Sequence, residues 1–339
     1  MERPVWKQTS FYGFLLLSAL LALWLADPAA TSASGRAVLE RCAAVVVPSL
    51  FPFFVLTNLL VRRSYHRYAA SALGRWMDPV LGVPADAAGA LVLGALGGYP
   101  VGAAALFRLY DQKQLSARQV SRALAFCNNG GPGYILGVVG LGLLGSVRLG
   151  VMLWAVHILA AVLTGILLRP RTLESSQAIA PADTPAGPFA VDFIRSVQDA
   201  AVTCLYLCGF LVFFGVLLGT LSRMLPSLPA LAAAGVLELS TGMALLTERG
   251  LSVPTAMVWA AAFLGWGGLC VHCQVLSLRG DRPIQMGPYF LGKGLQCLLS
   301  VALVRLLTVR DPLPLLAVLL AALLPRLTKT SWKFPARPV

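Results

Sequence analysis

Residues 91–107 read LVLGALGGYPVGAAALF. They belong to an apolar segment, 87–107, that is long enough to cross roughly 30 Å of hydrocarbon as a helix. Glycine and proline at its centre interrupt regular helix, and a membrane tolerates such a break only where protein or a wet cavity satisfies the freed backbone groups. The stretch therefore predicts a membrane protein that contains broken helices.

The composition of the whole chain supports this interpretation. Of the 339 residues, 58% are hydrophobic and only 12% are charged, which is about half the charged share of a typical soluble domain. The first apolar run is expected to be retained as a helix, although small residues after it would also suit a cleaved signal peptide. We predict an all-α polytopic membrane protein with about ten hydrophobic segments, at 9–26, 42–61, 87–107, 123–145, 149–168, 201–221, 228–247, 254–276, 288–309 and 312–325.

A linker rich in Pro, Ser, Thr and Ala divides these segments into two groups of five. It is too short and too poor in apolar residues to fold alone. We predict a first membrane repeat over 1–168 with its core at about 40–168, and a polar linker with an amphipathic stretch over 169–200. A second repeat over 201–326 and a basic tail over 327–339 follow.

The two halves share a short motif. A true duplication would be typical of transporters, which place their sites at the repeat interface, but chance also produces such matches in Gly-rich membrane sequence. The motif is Leu96-Gly97-Gly98-Tyr99-Pro100-Val101-Gly102 in the third segment and Trp266-Gly267-Gly268-Leu269-Cys270-Val271-His272 in the eighth.

The positive charges indicate how the segments cross. The formal net charge is +13, and no nucleic-acid-binding motif accompanies it, so we expect contact with lipid headgroups and no nucleic acid. If 87–107 and 254–276 are re-entrant hairpins, most Lys and Arg residues share one side, which is then cytoplasmic together with both termini. Each segment could also span as plain helix. Under the hairpin hypothesis the opposite side keeps Arg36, Arg41, Arg148, Arg223 and Arg310.

Polar side chains at membrane depth are costly, so they are the candidate functional residues. Asn128 and Asn129 stand beside a break at Gly130 and Pro132. Amides next to unwound backbone are typical of a surface that binds a polar solute, whereas Asn capping an interfacial helix start is the structural alternative.

Glu238 is the one acidic residue well inside an apolar run, and it precedes Ser240 and Thr241. We expect it to face a cavity or a partner, and Lys293 in the ninth segment is a candidate for an ion pair. His157 and His272 are more often packed residues than ligands. The candidate substrate-binding or pathway residues are Gly97, Gly98, Tyr99, Pro100, Gly102, Asn128, Asn129, Gly130, Pro132, Glu238, Ser240, Thr241, Gly267, Gly268, His272 and Lys293.

Catalysis and metal binding have little support in the sequence. It shows no Ser/His/Asp set, no paired carboxylates and no phosphate-binding loop, so we expect neither an enzyme nor a cofactor. Cys270, His272 and Cys273 resemble a metal site superficially, but no second ligand pair accompanies them. The odd count of 7 cysteines argues against a disulfide framework.

Three motifs in order resemble a known family: Pro48-Ser49-Leu50-Phe51-Pro52-Phe53-Phe54, Gly98-Tyr99-Pro100-Val101-Gly102-Ala103 and Phe126-Cys127-Asn128-Asn129-Gly130-Gly131-Pro132. They look like the YlbJ-type sporulation integral membrane proteins, which carry nucleoside-recognition (Gate) domains. Glu238-Leu239-Ser240-Thr241-Gly242 resembles the Glu-x-x-x-Gly element of the second half. The resemblance implies a cell-membrane protein that acts in spore cortex formation, with a nucleoside-like solute implied only by the family name. At Leu269 and Cys270 the second Gly-Gly motif departs from the first.

Two functions of different class follow. The first is a transporter or permease that moves a small polar solute during sporulation, and it rests on the repeat and the buried polar residues. The second is a membrane scaffold or assembly factor for cortex-building proteins, and it rests on the basic loops. Apart from the lipid bilayer, the expected partners are the solute, further copies of the chain, or sporulation membrane proteins.

Overall fold

The computed structural model describes residues 9–170, 188–224 and 230–327, and every regular element within these ranges is a helix. Three π-helical stretches occur, at Cys42–Val46, Met77–Leu81 and Gly133–Leu143. The α-helices are α1 (Thr9–Ala26), α2 (Pro28–Arg41), α3 (Val47–Arg62), α4 (His66–Trp76), α5 (Ala87–Gly97), α6 (Val101–Asp111), α7 (Ala117–Cys127), α8 (Val147–Leu167), α9 (Phe189–Met224), α10 (Ala230–Leu237), α11 (Leu239–Glu248), α12 (Val253–Trp266), α13 (Gly268–Arg279), α14 (Gly287–Val309) and α15 (Leu313–Leu327).

An all-helical membrane protein is thereby confirmed. Within the described ranges, five helical stretches are long and apolar enough to cross a membrane. Shorter apolar helices account for other predicted segments, such as Phe11–Ala26 and Leu313–Leu323. The five long stretches are Pro28–Arg62, Val147–Leu167, Phe189–Met224, Val253–Arg279 and Gly287–Val309.

The third predicted segment folds back on itself. A Cβ atom built on Gly94 in α5 would lie 3.1 Å from the Cα of Gly102 in α6, whereas eight residues of continuous helix span about 12 Å. The reversal occurs at Gly98, whose φ of +81° is readily adopted only by glycine. We call α5 and α6 hairpin 1 and residues Gly98–Pro100 its tip.

A second hairpin lies elsewhere than the sequence predicted. A Cβ atom on Gly242 in α11 would lie 2.6 Å from the Cα of Gly235 in α10, so the chain reverses between these helices. We call α10 and α11 hairpin 2, and Glu238 stands at its tip between them. The expected hairpin at 254–276 is wrong, because α12 and α13 continue into one another as a 27-residue candidate span.

Irregular backbone interrupts two helical stretches. Between α12 and α13 the backbone has φ values of +88° and +82° at Gly267 and Gly268, which bend the helix without reversing it. Between α7 and the π-helix at Gly133–Leu143 lies a non-helical stretch, 128–131. The Asn pair therefore stands in a buried break between two helices.

Straight helices hold these irregular elements together. Helix α14 packs against α7, α8 and α12, and α9 packs against α2 and α3. At its outer end hairpin 1 is tied to the loop after α13, because Arg282 donates from Nε and Nη2 to the Asp111 carboxylate at 2.7 Å each. This guanidinium holds the pKa of the Asp111 carboxyl below its usual range.

Candidate functional site

The tip of each hairpin contacts a break in a spanning helix. A Cβ atom on Gly98 in hairpin 1 would lie 3.0 Å from the backbone nitrogen of Gly131. A Cβ atom on Gly268 would lie 3.1 Å from the nitrogen of Leu239 in hairpin 2. Glycines are required at these contacts because a side chain would separate the backbones. We call this meeting of two tips and two breaks the central crossing.

Tyr99 connects the two halves of the chain at the central crossing. Its hydroxyl donates a hydrogen bond to the carbonyl of Leu264, 2.7 Å away near the end of α12. Its ring lies against Gly267, where an added Cβ atom would approach the ring carbon Cζ to 3.6 Å. The tip of hairpin 1 therefore contacts both broken helices, and a movement of that tip would disturb both.

Lys293 supplies a buried cation next to this tip. Its side chain is 0% exposed, and Nζ donates to the Asn128 carbonyl and to Oε1 of Gln296, each 2.6 Å away. Nζ also lies 5.2 Å from the centre of the Tyr99 ring, within the range of a cation–π contact. The predicted ion pair with Glu238 is not formed, because Lys293 is bound by neutral groups.

Gln296 extends the network one helical turn along α14. Its Nε2 donates to Oδ1 of Asn129 at 2.9 Å and to the carbonyl of His157 at 3.2 Å. Nε2 of His157 accepts from the backbone N–H of Gly130 at 2.9 Å. The unwound stretch after α7 is thus held by side chains of α8 and α14, as broken backbone at this depth requires.

Asn128 and Asn129 differ in their side-chain bonding, although both are fully buried. The amide nitrogen of Asn129 donates to the Phe126 carbonyl at 2.8 Å. Within the described residues the Asn128 amide has no well-aligned partner, although the Tyr289 hydroxyl lies beside it. A buried amide without a bonded partner is unfavourable, so Asn128 has capacity to bind a polar ligand.

Glu238 forms a second polar group on the other side of Gly267 and Gly268. Its carboxylate caps α11, accepting from the backbone N–H groups of Ser240 at 2.8 Å and Thr241 at 2.7 Å. The Ser240 hydroxyl donates to it at 2.8 Å. Thr241 is also reached by Nη1 of Arg41 at 3.2 Å. An acid at a helix N-terminus is favourable, so the carboxylate has a structural role in hairpin 2.

The other predicted site residues lie close by. His272 is buried and its Nδ1 lies 2.9 Å from the Tyr289 hydroxyl, which connects α13 to α14. Pro132 immediately precedes the π-helix that resumes the span. The predicted site residues did not include Gln296, Tyr289 and His157, and His157 was interpreted as a packed residue. The spacing of Gln296 three residues after Lys293 places both on one helix face and was the available signal.

A narrow crevice runs beside hairpin 1. Its lining includes Pro100 at the tip of the hairpin, Arg108 about two turns further along α6, and also Thr57 and Thr203. We call the end at Arg108 the outer end. Its volume of about 50 Å³ holds only a few water molecules. At the outer end the Asp199 carboxylate on α9 lies 3.9 Å from Nη2 of Arg108, and it also pairs with Arg62.

Neither metal ligands nor disulfides add to the site in the described part of the chain. No group of three or more His, Cys, Asp or Glu side chains there could hold a metal ion. The cysteines at 42, 127, 204, 208, 270, 273 and 297 are all free. Cys270 and Cys273 therefore act as apolar side chains in α13.

Comparisons with known proteins agree with the resemblance seen in the motifs. Residues 43–166 match the family model Gate, described as nucleoside recognition, a range that contains hairpin 1, the Asn128–Asn129 break and α8. Over 332 residues the chain is 26% identical to the sporulation integral membrane protein YlbJ of Bacillus subtilis (strain 168). That alignment covers 87% of this chain and 81% of the relative. No solved structure matches the chain. The predicted resemblance to YlbJ-type proteins with a Gate domain, and a multi-pass membrane location, are confirmed.

Proposed function

We propose that the protein is a transporter that carries a small polar solute across a membrane, with the solute bound at the central crossing. The observation that carries this proposal is the meeting of two hairpin tips and two broken helices around Asn128, Asn129 and Lys293. Such breaks cost free energy in a membrane unless protein or a water-filled cavity satisfies their polar groups, so they are typical of functional sites. Transporters with discontinuous helices bind their substrates at breaks of this kind, near the middle of the bilayer.

The crevice supports a pathway from the basic side to the site. A solute the size of a nucleoside needs a cavity of about 300 Å³ or more, and the crevice of about 50 Å³ is closed to it. Hairpin 1 forms one wall, from Pro100 to Arg108. Movement of this hairpin away from α3 and α9 would widen the crevice and expose the central crossing to one side of the membrane, as alternating access requires.

We infer that the two halves are inverted repeats, in which hairpin 1 corresponds to hairpin 2 and the α7 break to the α12–α13 break. In each half a long helix precedes a hairpin, and the hairpin precedes a broken span and a straight helix. This replaces the correspondence of the two Gly-Gly motifs, because Gly98 turns a hairpin whereas Gly267 interrupts a span. A hairpin in each half offers one gate for each side of the membrane.

The solute is proposed to be nucleoside-like and the process to be sporulation. The first point rests on the description of the Gate family and on the buried amides, lysine and histidine, which suit a ligand with several donors and acceptors. The second rests on the printed name of the Bacillus subtilis relative. Within sporulation we propose a contribution to the spore cortex, without catalytic activity of the chain's own.

A complementation experiment separates transport from scaffolding. The wild-type chain is expressed in a sporulating Bacillus subtilis strain that lacks YlbJ, and heat-resistant spores are counted alongside immunoblots. Transport predicts that Asn129→Ala and Gln296→Leu lower the count at least tenfold at equal protein level, whereas Ser300→Ala, a buried substitution on the same helix, leaves it unchanged. Normal counts for the first two variants, with losses on neutralising Lys113 and Arg118 instead, would favour the scaffold.

A further inference from the structure

The buried ammonium of Lys293 has an unusual set of neighbours. A charge at this depth is costly without an opposite charge, yet none of the ion pairs within the described ranges includes Lys293. The ionisable groups that interact with it include Tyr99, Cys127, Cys297, His157 and His272. No carboxylate is among them.

The atoms that bind Nζ are those that bind a small monovalent cation. The Asn128 carbonyl and Oε1 of Gln296 lie 2.6 Å from Nζ, and the Tyr99 ring faces it at 5.2 Å. Carbonyl and amide oxygens are hard neutral ligands, and the aromatic ring attracts any cation. Moreover α7 ends at Cys127, so the Asn128 carbonyl stands at the negative end of a half-helix.

Broken-helix transporters use the same elements for free ions, since unwound carbonyls and half-helix C-terminal ends coordinate Na⁺ or a proton near the substrate. We propose that the Lys293 ammonium is a tethered cation that occupies such a position at the central crossing. The protein therefore binds no free Na⁺ there. Removal of the lysine side chain beyond Cβ creates a site for a free alkylammonium ion.

A consequence for coupling follows if the proposed transport function holds. A covalently attached cation cannot leave with the solute, so this position cannot couple solute movement to a Na⁺ gradient. The tethered ammonium keeps the carbonyls of the break oriented during every cycle. This position then contributes no Na⁺ dependence to solute movement, in contrast to a carrier whose ion site there must fill before each step.

The test measures thermal stability and needs neither the solute nor transport. Purified full-length protein in detergent is heated in sodium chloride, choline chloride or n-propylammonium chloride at equal concentration, and n-propanol serves as the neutral isostere. Lys293→Ala lacks the atoms that n-propylammonium would restore. Lys293→Met fills nearly the same volume without charge and is the matched control.

The expected results are specific to the ammonium. Wild type has the same Tm in sodium and choline chloride. The Tm of Lys293→Ala rises by about 2 °C or more in n-propylammonium over choline, with no rise in n-propanol, and Lys293→Met does not respond. Should Lys293→Ala be too unstable to purify in choline, recovery of monodisperse protein only in n-propylammonium carries the same meaning.

Three results would overturn the tethered cation. The first is a Na⁺-specific rise in the Tm of wild type, and the second is an equal rescue of Lys293→Ala by n-propanol. The third is that Lys293→Ala shows neither a higher Tm nor a better recovery in n-propylammonium than in choline. Because none of these measurements involves a solute, failure of the transport proposal would leave them unaffected. Likewise, their failure would leave transport itself in place.

Discussion

At the scale of single residues, the Glu238 carboxylate accepts two backbone N–H groups and one hydroxyl at the start of α11. Gln in its place presents one oxygen and one NH₂ group, so at least one donor loses its acceptor. We predict that Glu238→Gln lowers the free energy of unfolding by about 1–2 kcal/mol. The measurement is the thermal unfolding of purified protein in detergent.

Ser240→Ala is the control for this prediction. It removes only the hydroxyl donor and leaves both backbone hydrogen bonds to Glu238 intact, so a smaller loss is expected. Equal stability of Glu238→Gln and wild type would show that the carboxylate does not cap hairpin 2.

Which residues matter was easier to predict than what each one binds. The free-energy cost of polar side chains at membrane depth identified four residues from the sequence, namely Asn128, Asn129, Glu238 and Lys293. The structure brings the first two together with Lys293. It leaves Glu238 at a different tip. Opposite charges in an apolar chain favour a predicted ion pair, but a backbone carbonyl and a glutamine satisfy Lys293 instead. The backbone carbonyl leaves no signal in the sequence, whereas the glutamine is indicated only by its spacing from Lys293.

At the scale of elements, hairpin 1 closes around the end of α7. Cβ atoms on Gly94 and Gly102 would lie 1.8 and 1.9 Å from the Cys127 carbonyl oxygen. The Cys127 oxygen is held in place at the break after α7, so neither it nor the hairpin backbone can move aside for an added Cβ atom. We predict that Gly102→Ala destabilises the fold by about 3 kcal/mol, measured as loss of monodisperse protein in gel filtration after heating.

The chain offers a matched control for the glycine prediction. Gly137 lies in the π-helix of the neighbouring broken span, and a Cβ atom there would meet nothing within 4 Å. Gly137→Ala should behave as wild type. If both variants were equally stable, the contact between hairpin 1 and the Cys127 carbonyl would be looser than the structure shows.

The ion pairs of Asp199 hold the outer end of the crevice closed. Asp199 on α9 joins Arg108 of hairpin 1 to Arg62 of α3, and these side chains are partly exposed, so the restraint is modest. We predict that Asp199→Asn speeds maleimide labelling of a cysteine introduced at Ala104, which lines the crevice, by about two- to fivefold. Labelling of the native cysteines is subtracted.

Asp311→Asn provides the comparison, because it breaks the ion pair with Arg305 away from the crevice. Its labelling rate at Ala104→Cys should equal that of the unaltered background. The same rate in Asp199→Asn would show that Asp199 does not restrain hairpin 1.

The sequence predicted that hairpins exist but misplaced one of them. Gly-Gly motifs occur at 97–98 and 267–268, and both give positive φ at glycine. Whether the chain then reverses depends on what packs on either side. Gly94 and Gly102 leave space for two helices to touch, as do Gly235 and Gly242, whereas no such pair flanks Gly267. The decisive glycines lie several residues from the break.

At the scale of the whole molecule, the corrected hairpin changes the predicted topology at one loop. A hairpin over 230–248 returns the chain to the side from which it came, so Arg249 joins Arg223 on the extracytoplasmic side. Most Lys and Arg residues stay on the other side, and both termini are still predicted to be cytoplasmic. Alkaline phosphatase fused after Arg249 should be active, and green fluorescent protein fused to the C-terminus of the full chain should fluoresce. The reverse pattern would contradict this topology.

The fold class and the membrane location could be predicted because they depend on composition and on apolar runs. Each apolar run can be recognised in the sequence without knowledge of the rest of the fold. The central crossing could not, since it joins residues more than a hundred positions apart, such as Asn128 and Lys293. The Gate match covers the first half, and a Gate-like second half stays a prediction.

The most direct test of the transporter is uptake by purified protein in proteoliposomes, measured with a panel of radiolabelled nucleosides. We predict saturable uptake of at least one of them by wild type and by Ser300→Ala. Gln296→Leu should lose at least tenfold in uptake, because that change removes the side chain joining Asn129, His157 and Lys293. Uptake that Gln296→Leu leaves undiminished would contradict a solute site at the central crossing.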